Sequence, residues 1–214
     1  MRLKKHAHYL FKLVSVFLLS FLFLSEHVLA AQAPEKTITQ KTSAQSFVQS
    51  IISALEVRLL NAHKEGLLSD DQYLDQLIDE QIFPYIDIPY ITKKITGSYW
   101  QEVQKNQQEL VMQDAIKASL QRTYRVALAS YDGETIKVGQ SKDNAKYSLV
   151  RVSILTASSK HRLDFALRPA PNSDWLIFDV SVDGIVFTKT MKSSLKPMFE
   201  KNTVKEVIHE LIGG

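Results

Sequence analysis

Between Ile136 and Val182 the apolar residues of this chain recur at every second position, and on either side they recur at every third or fourth. A period of two belongs to a strand with one covered face, and a period near 3.6 to a helix with one apolar stripe. Ile136 and Val138 mark a first strand, and Val150, Val152 and Ile154 a second. Leu163, Phe165 and Leu167 mark a third, and Leu176, Phe178, Val180 and Val182 a fourth. The turn signal Asp132-Gly133 precedes the first, and the links SKDNAK, TASSKH and PAPNSD are short and polar. Links of that length join antiparallel neighbours, because a parallel pair needs a longer crossover. The expected class is α+β: a twisted antiparallel sheet of about four strands packed on its apolar face by several helices.

The flanking helices carry their own punctuation. Phe47, Val48, Ile51, Ile52, Leu55 and Leu59 share a face that Gly66 ends. Ser69 with Gln72 reads as a capping box for a second helix. Asp87 is placed to cap a short helix with Pro89 in its first turn, and Gly97 to end it. Asn106 with Glu109 reads as the cap of the longest helix, running to about Ser130. After Gly184 the helical period returns through Phe187, Met191 and Leu195, and Thr203 with Glu206 caps a last helix.

The N-terminus sets the compartment. Arg2, Lys4, Lys5 and Lys12 precede the apolar run Leu13–Leu24, and Val28 and Ala30 suit signal peptidase at −3 and −1. A membrane anchor needs ~20 apolar residues, and this run has twelve. Residues 1–30 are therefore read as a signal peptide cleaved after Ala30, 31–41 as a polar linker and 42–214 as a single domain in the periplasm. The leader holds four of the 26 basic and one of the 23 acidic residues, so the mature chain is formally neutral. Neutrality removes the basic surface that nucleic-acid binding needs. An exported chain without cysteine must be held together by packing alone.

Few side chains here suggest chemistry. The mature chain keeps His63, His161 and His209 on three different elements, with no HExxH motif, so no metal site is expected. There is no GxSxG elbow and no glycine-rich phosphate loop. Asp179 is expected at a strand edge, solvent-facing or hydrogen-bonded, and Asp183-Gly184 at a strand-to-helix turn. What remains is apolar: Tyr99, Trp100, Tyr124, Val152, Phe165, Phe178, Ile185, Phe187 and Met191. Periodicity alone gives such a set two readings, a solid core or the lining of a ligand cavity.

Three segments resemble the MlaC-type family of periplasmic phospholipid-binding proteins, also described as toluene-tolerance or ABC-transporter auxiliary proteins. In FPYIDIPYITKKITGSYW, Phe83 to Trp100, the Asp-hydrophobic turn, short helix and Gly-x-x-Trp are matched by Asp87, Gly97 and Trp100. LQRTYRVALASYDGETIKV, Leu120 to Val138, places Thr123-Tyr124 and Tyr131 as the family does. DWLIFDVSVDGIVF, Asp174 to Phe187, is similar to the family's Trp-x-hydrophobic-x-Asp-Val-x-hydrophobic-x-Gly. The resemblance runs from about Ser46 to Leu211. It departs after the Asp-Gly turn, where the family's small polar residue, aromatic-Arg pair and Phe become Val186, Met191-Lys192 and Leu195. Lys192 keeps the charge without the guanidinium fork.

The resemblance implies an NTF2-like or cystatin-like arrangement with an internal apolar pocket, lined by the nine residues above. It implies bound phospholipid as cargo with no cofactor and no catalysis. The implied partners are an inner-membrane ABC transporter complex bearing an MCE-domain protein and an outer-membrane lipoprotein–porin complex. The chain is expected to act as a monomer that maintains outer-membrane lipid asymmetry. A small-molecule enzyme on the same arrangement, with His161 as its discriminating residue, and a chaperone for lipoprotein acyl groups remain as alternatives.

Overall fold

Ser43 opens the first helix by accepting a hydrogen bond from the Ser46 N–H at 3.1 Å, the local geometry that serine favours at a helix start. The computed structural model describes residues 42–171 and 175–213; the expected signal peptide and linker lie outside the described residues. Helix α1 (Ala44–Glu65) ends at Gly66, whose φ of 72° is the left-handed turn expected there. After a 3₁₀ turn come α2 (Asp71–Gln81), α3 (Ile88–Thr96), α4 (Trp100–Lys105) and α5 (Glu109–Ala129). The strands β1 (Thr135–Asp143), β2 (Ser148–Leu155), β3 (Lys160–Arg168), β4 (Leu176–Val182) and β5 (Ile185–Val186) follow, then α6 (Phe187–Lys201) and α7 (Val204–Gly213).

The sheet is an antiparallel meander in the order β1-β2-β3-β4-β5. The α+β class stands, with one strand more than alternation showed. The fifth strand has only two residues, too few to carry a period. A second difference lies in β4. Ala166 pairs with Asp179 and Leu167 with Ile177, so Phe178 is an extra residue in a bulge. Ile177 rather than Phe178 therefore lies opposite Leu167 and packs with Val150 and Val152 in the core.

Two expected helix starts are displaced. Asp70, not Ser69, caps α2, taking the N–H groups of Gln72 and Tyr73 at 2.9 and 3.2 Å. A carboxylate one residue nearer the helix competes better for those donors. Asn106 closes α4 by donating to the Glu102 carbonyl at 2.8 Å, so α5 starts after Gln108 without a side-chain cap. The caps at Asp87 and Thr203–Glu206 form where expected.

Helix α1 lies against β1 and β2, and Val48 and Ile52 pack on Val150, Val152, Leu167 and Ile177. Helix α5 packs instead on α2, α3 and α7. Arg125 grips the Asp75 carboxylate of α2 with two bonds, at 2.8 and 2.6 Å. Arg122 donates to the carbonyls of Leu211 and Ile212 at the end of α7. The Tyr99 ring stacks on Phe199 at 4.7 Å and so joins the Gly97 turn to α6.

Gly97 has φ 56° and ψ −119°, a combination that only glycine adopts at low cost. A Cβ there would lie 2.5 Å from Lys192 Nζ and 2.7 Å from its Cε. Gly97→Ala should therefore lose about 1–3 kcal/mol in urea unfolding. Adding Lys192→Ala should restore only the part due to the clash, because the backbone strain stays.

Candidate functional site

The apolar side chains of the described residues fall into separate clusters. One joins α1 to the sheet through Val48, Ile52, Val150, Val152, Leu167 and Ile177. A second lies within the helix layer, around Ile95, Met112, Ile116, Leu120, Leu195 and Val207. A third, smaller one sits under the α1–α2 turn around Leu59, Leu74 and Leu77. A domain of this size normally has one contiguous core. Here the sheet cluster and the helix cluster meet at Ile86, a half-buried residue packed against both.

The expected site residues divide between these layers. Tyr99, Trp100, Tyr124, Phe187 and Met191 are half-buried against the helix cluster. On the sheet, Val152 is fully buried and Phe165 half-buried. The bulge leaves Phe178 with its ring 5.3 Å from Tyr90 and 6.1 Å from Tyr147, under the Lys94 ammonium. Ile185 stands mostly exposed on β5. Tyr124 thus belongs to the helix cluster and Phe165 to the sheet cluster, while Phe178 and Ile185 belong to neither. The sequence set omits Leu163 and Val180, half-buried on the same face as Phe165; Val180 pairs with Phe165 directly and Leu163 lies in the next row. Their place in the alternation of strands three and four was the signal that could have found them.

Tyr124 is the most perturbed of these groups. Burial, and then the Asp179 carboxylate, push its phenol from 10 up to about 12. The side chain nonetheless keeps accessible surface. A raised phenol means that the folded chain holds a proton the unfolded chain releases. The stability it contributes is complete below pH 10 and fades as the pH climbs through about 12. Absorbance titration should show one tyrosine ionising near 12, and Tyr124→Phe should remove that step.

Two polar anchors fix the elements around this region. Asp179 is buried at the edge of β4. It accepts from the Thr188 hydroxyl at 2.6 Å, the Thr188 N–H at 3.2 Å, its neighbour Val180 N–H at 3.0 Å and Lys94 Nζ at 2.5 Å. It therefore ties β4 to the first turn of α6 and to α3. Asp87, also buried, caps α3 through the Tyr90 N–H at 3.2 Å and pairs with Arg168 of β3. The Asp87 N–H donates to the Ile177 carbonyl at 2.8 Å and extends the sheet past β4.

A hydrogen-bonded Ser-His-Asp chain also exists. Ser159 Oγ lies 3.0 Å from His161 Nε2, and His161 Nδ1 lies 3.0 Å from Asp183 Oδ2. That bond first, then the Arg162 N–H, holds the Asp183 carboxyl below its usual range. Acyl transfer needs free donors aimed at a developing oxyanion. The Ser158 and Ser159 N–H groups both point instead to Thr156 Oγ1, at 3.3 and 2.9 Å. Ring and carboxylate are each about half exposed, at 49%, and the chain ties the β2–β3 turn to the β4–β5 turn. Among the described residues no group of three acidic or histidine side chains converges on a metal position.

Among the described residues, two open clefts stand out at the surface. One of 380 Å³ is lined by Gly184, Ile185, Val186, Lys189, Thr190 and Ser193. The other, of 500 Å³, lies between Gly66 and Tyr131 at the far end of α5.

The profile of the MlaC protein family matches residues 48–212. Over 163 residues the chain is 23% identical to the intermembrane phospholipid transport system binding protein MlaC of Haemophilus influenzae, covering 74% of this chain and 75% of that one. Its fold is similar to that of a phospholipid-binding protein from Ralstonia solanacearum solved in complex with a phospholipid. The TM-score is 0.70 at 23% identity, covering 79% of this chain and 95% of the other.

Proposed function

We propose that this chain, which belongs to the MlaC protein family, is a phospholipid carrier that holds acyl chains between its sheet and its helix layer. The observation that carries the reading is the division of the core. Apolar side chains on both layers are only partly buried, so each keeps surface that a bound acyl chain would cover. Leu163, Phe165 and Val180 are offered from the sheet, and Tyr124, Phe187 and Met191 from the helices. Trp100 and Tyr99 border the helix side. The names of the two relatives point to the same ligand class.

The physical need for such a carrier is large. Each methylene moved from water into an apolar site is worth ~0.8 kcal/mol. A diacyl phospholipid carries on the order of 30, so bare transit through water would cost roughly 24 kcal/mol on that scale. An apolar interior makes transfer from bilayer to protein nearly neutral, and near-neutrality lets the lipid leave again. No bond is made or broken in this task, so no catalytic group is required.

On this reading the leader delivers the chain to the periplasm and is cut after Ala30. The carrier then exchanges phospholipid between an inner-membrane MCE-domain transporter and an outer-membrane lipoprotein–porin complex, which sustains lipid asymmetry. The formal neutrality of the mature chain favours release from either membrane surface. The test is mass spectrometry of an organic extract of the protein purified from a bacterial periplasm. Co-purified phospholipid, about one molecule per chain, is expected. A lipid-free protein that also takes none from vesicles overturns the reading, and lipoprotein in place of phospholipid redirects it to an acyl-group chaperone.

A further inference from the structure

The register of the sheet aligns five aliphatic residues in one cross-strand row. Val138 pairs with Val152, Val152 with Leu163, Leu163 with Val182, and Val182 with Ile185. Residues directly opposite one another in antiparallel strands share a face, so the row lies on the face that α1 packs against. From Val152 outward its exposure rises. Val152 is 1% exposed beneath α1, Leu163 is half-buried, Val182 is 45% exposed and Ile185 is 67% exposed. A sheet face meant only for a core would end in polar residues where the cover ends. This one continues apolar into solvent.

From this row, and resting on the carrier reading, we infer that the β4–β5 turn is the port through which an acyl chain passes between solvent side and interior. Four steps between neighbouring strands make the row ~19 Å long. Half the thickness of a bilayer's hydrocarbon core, the depth one chain spans, is ~15 Å. Val152 is covered by α1, so the open part of the row runs two steps from Leu163 to Ile185, ~10 Å, and holds about two-thirds of that depth against apolar surface during passage. It also leads into the proposed lining, because Phe165 and Val180 form the adjacent row.

The outer end of the row suits the polar end of the same molecule. Ile185 and Val186 share the 380 Å³ cleft with Lys189, whose ammonium matches a phosphodiester, while the Thr190 and Ser193 hydroxyls beside it donate to the Val186 and Lys189 carbonyls. A protein strand would be a poor occupant, because β5 offers only two residues of edge for pairing.

The experiment follows the time course of loading of the lipid-stripped mature protein from phosphatidylglycerol vesicles that carry a labelled phospholipid. Val182→Asp/Ile185→Asp should slow loading at least tenfold while reaching the wild-type final occupancy. Both positions are exposed, so folding is checked by its unchanged thermal midpoint, and Ile185→Asp alone serves as the milder variant. Val126→Asp, at a position 73% exposed on α5, should load at the wild-type rate. If the wild-type protein does not load, the carrier reading itself fails. If it loads and the port variants match its rate, or Val126→Asp slows it equally, the port is wrong and the carrier reading stands.

Discussion

Phe165→Glu is expected to give a folded chain that retains no phospholipid. Phe165 sits on β3, paired with Val150 on one side and Val180 on the other, and its ring is only half-buried. In the lipid-free protein a glutamate there can keep water around its carboxylate, so the fold survives. In the loaded protein the same carboxylate would lie against hydrocarbon. A charged side chain at the centre of a bilayer costs about 2.5–3.5 kcal/mol on insertion scales, roughly a hundredfold in occupancy. Phe165→Leu, which keeps the site apolar, should load normally. Phe178→Ala should also load, because the bulge turns that ring toward Tyr90 and Tyr147. Lipid content by mass spectrometry, with circular dichroism to confirm folding, separates these variants. Phospholipid retained at the wild-type level by folded Phe165→Glu would remove Phe165 from the lining.

Asp179→Ala should be the most damaging single change to stability. It removes the acceptor for both polar groups of Thr188 and leaves Lys94 beside a buried void. Losing hydrogen bonds to a charged group costs about 1.5–3 kcal/mol, which for a domain of this size lowers the unfolding midpoint by roughly 3–12 °C. Lys94 is partly exposed, so Lys94→Met alone should cost less. The double variant should recover part of the Asp179→Ala loss, since no unpaired ammonium remains. A midpoint within 2 °C or so of wild type for Asp179→Ala would mean that the bonds at this edge contribute little.

The parts of the fold that were legible in sequence are those written in local chemistry. Asp87, Pro89 and Gly97 delimit α3 because a side-chain acceptor, a fixed φ and a residue tolerant of φ 56° each act within a few positions. Strands β1 to β3 show as alternation because one face of each is covered. The bulge at Phe178 left no such mark. One extra residue reverses the faces on either side of it, and the reversal is set by pairing with Ala166 and Leu167 rather than by the segment's own sequence. Asn106 and Glu109 have the spacing of a cap, yet Asn106 serves the helix before it. Spacing does not say which helix a side chain turns toward.

The proposed lining is readable in the sequence as a set of apolar positions and not as an arrangement. Tyr99, Trp100, Tyr124, Phe187 and Met191 could be taken from helical stripes, and they do gather on the helix layer. Which stripes would interlock with the sheet depends on how α5 is held. That is decided by Arg125 on Asp75 and Arg122 on the end of α7, contacts spanning 50 to 90 positions. The anchors Asp87–Arg168 and Lys94–Asp179 are equally distant in sequence, 81 and 85 positions apart, and no local pattern announces them.

A crystal structure of the phospholipid-loaded mature protein bears most directly on whether the two layers part to hold cargo. Continuous density for at least one acyl chain is expected between Leu163, Phe165 and Val180 on the sheet and Tyr124 and Phe187 on the helices. Density for lipid only on the outer surface, with Phe165 and Tyr124 packed against each other, would contradict it.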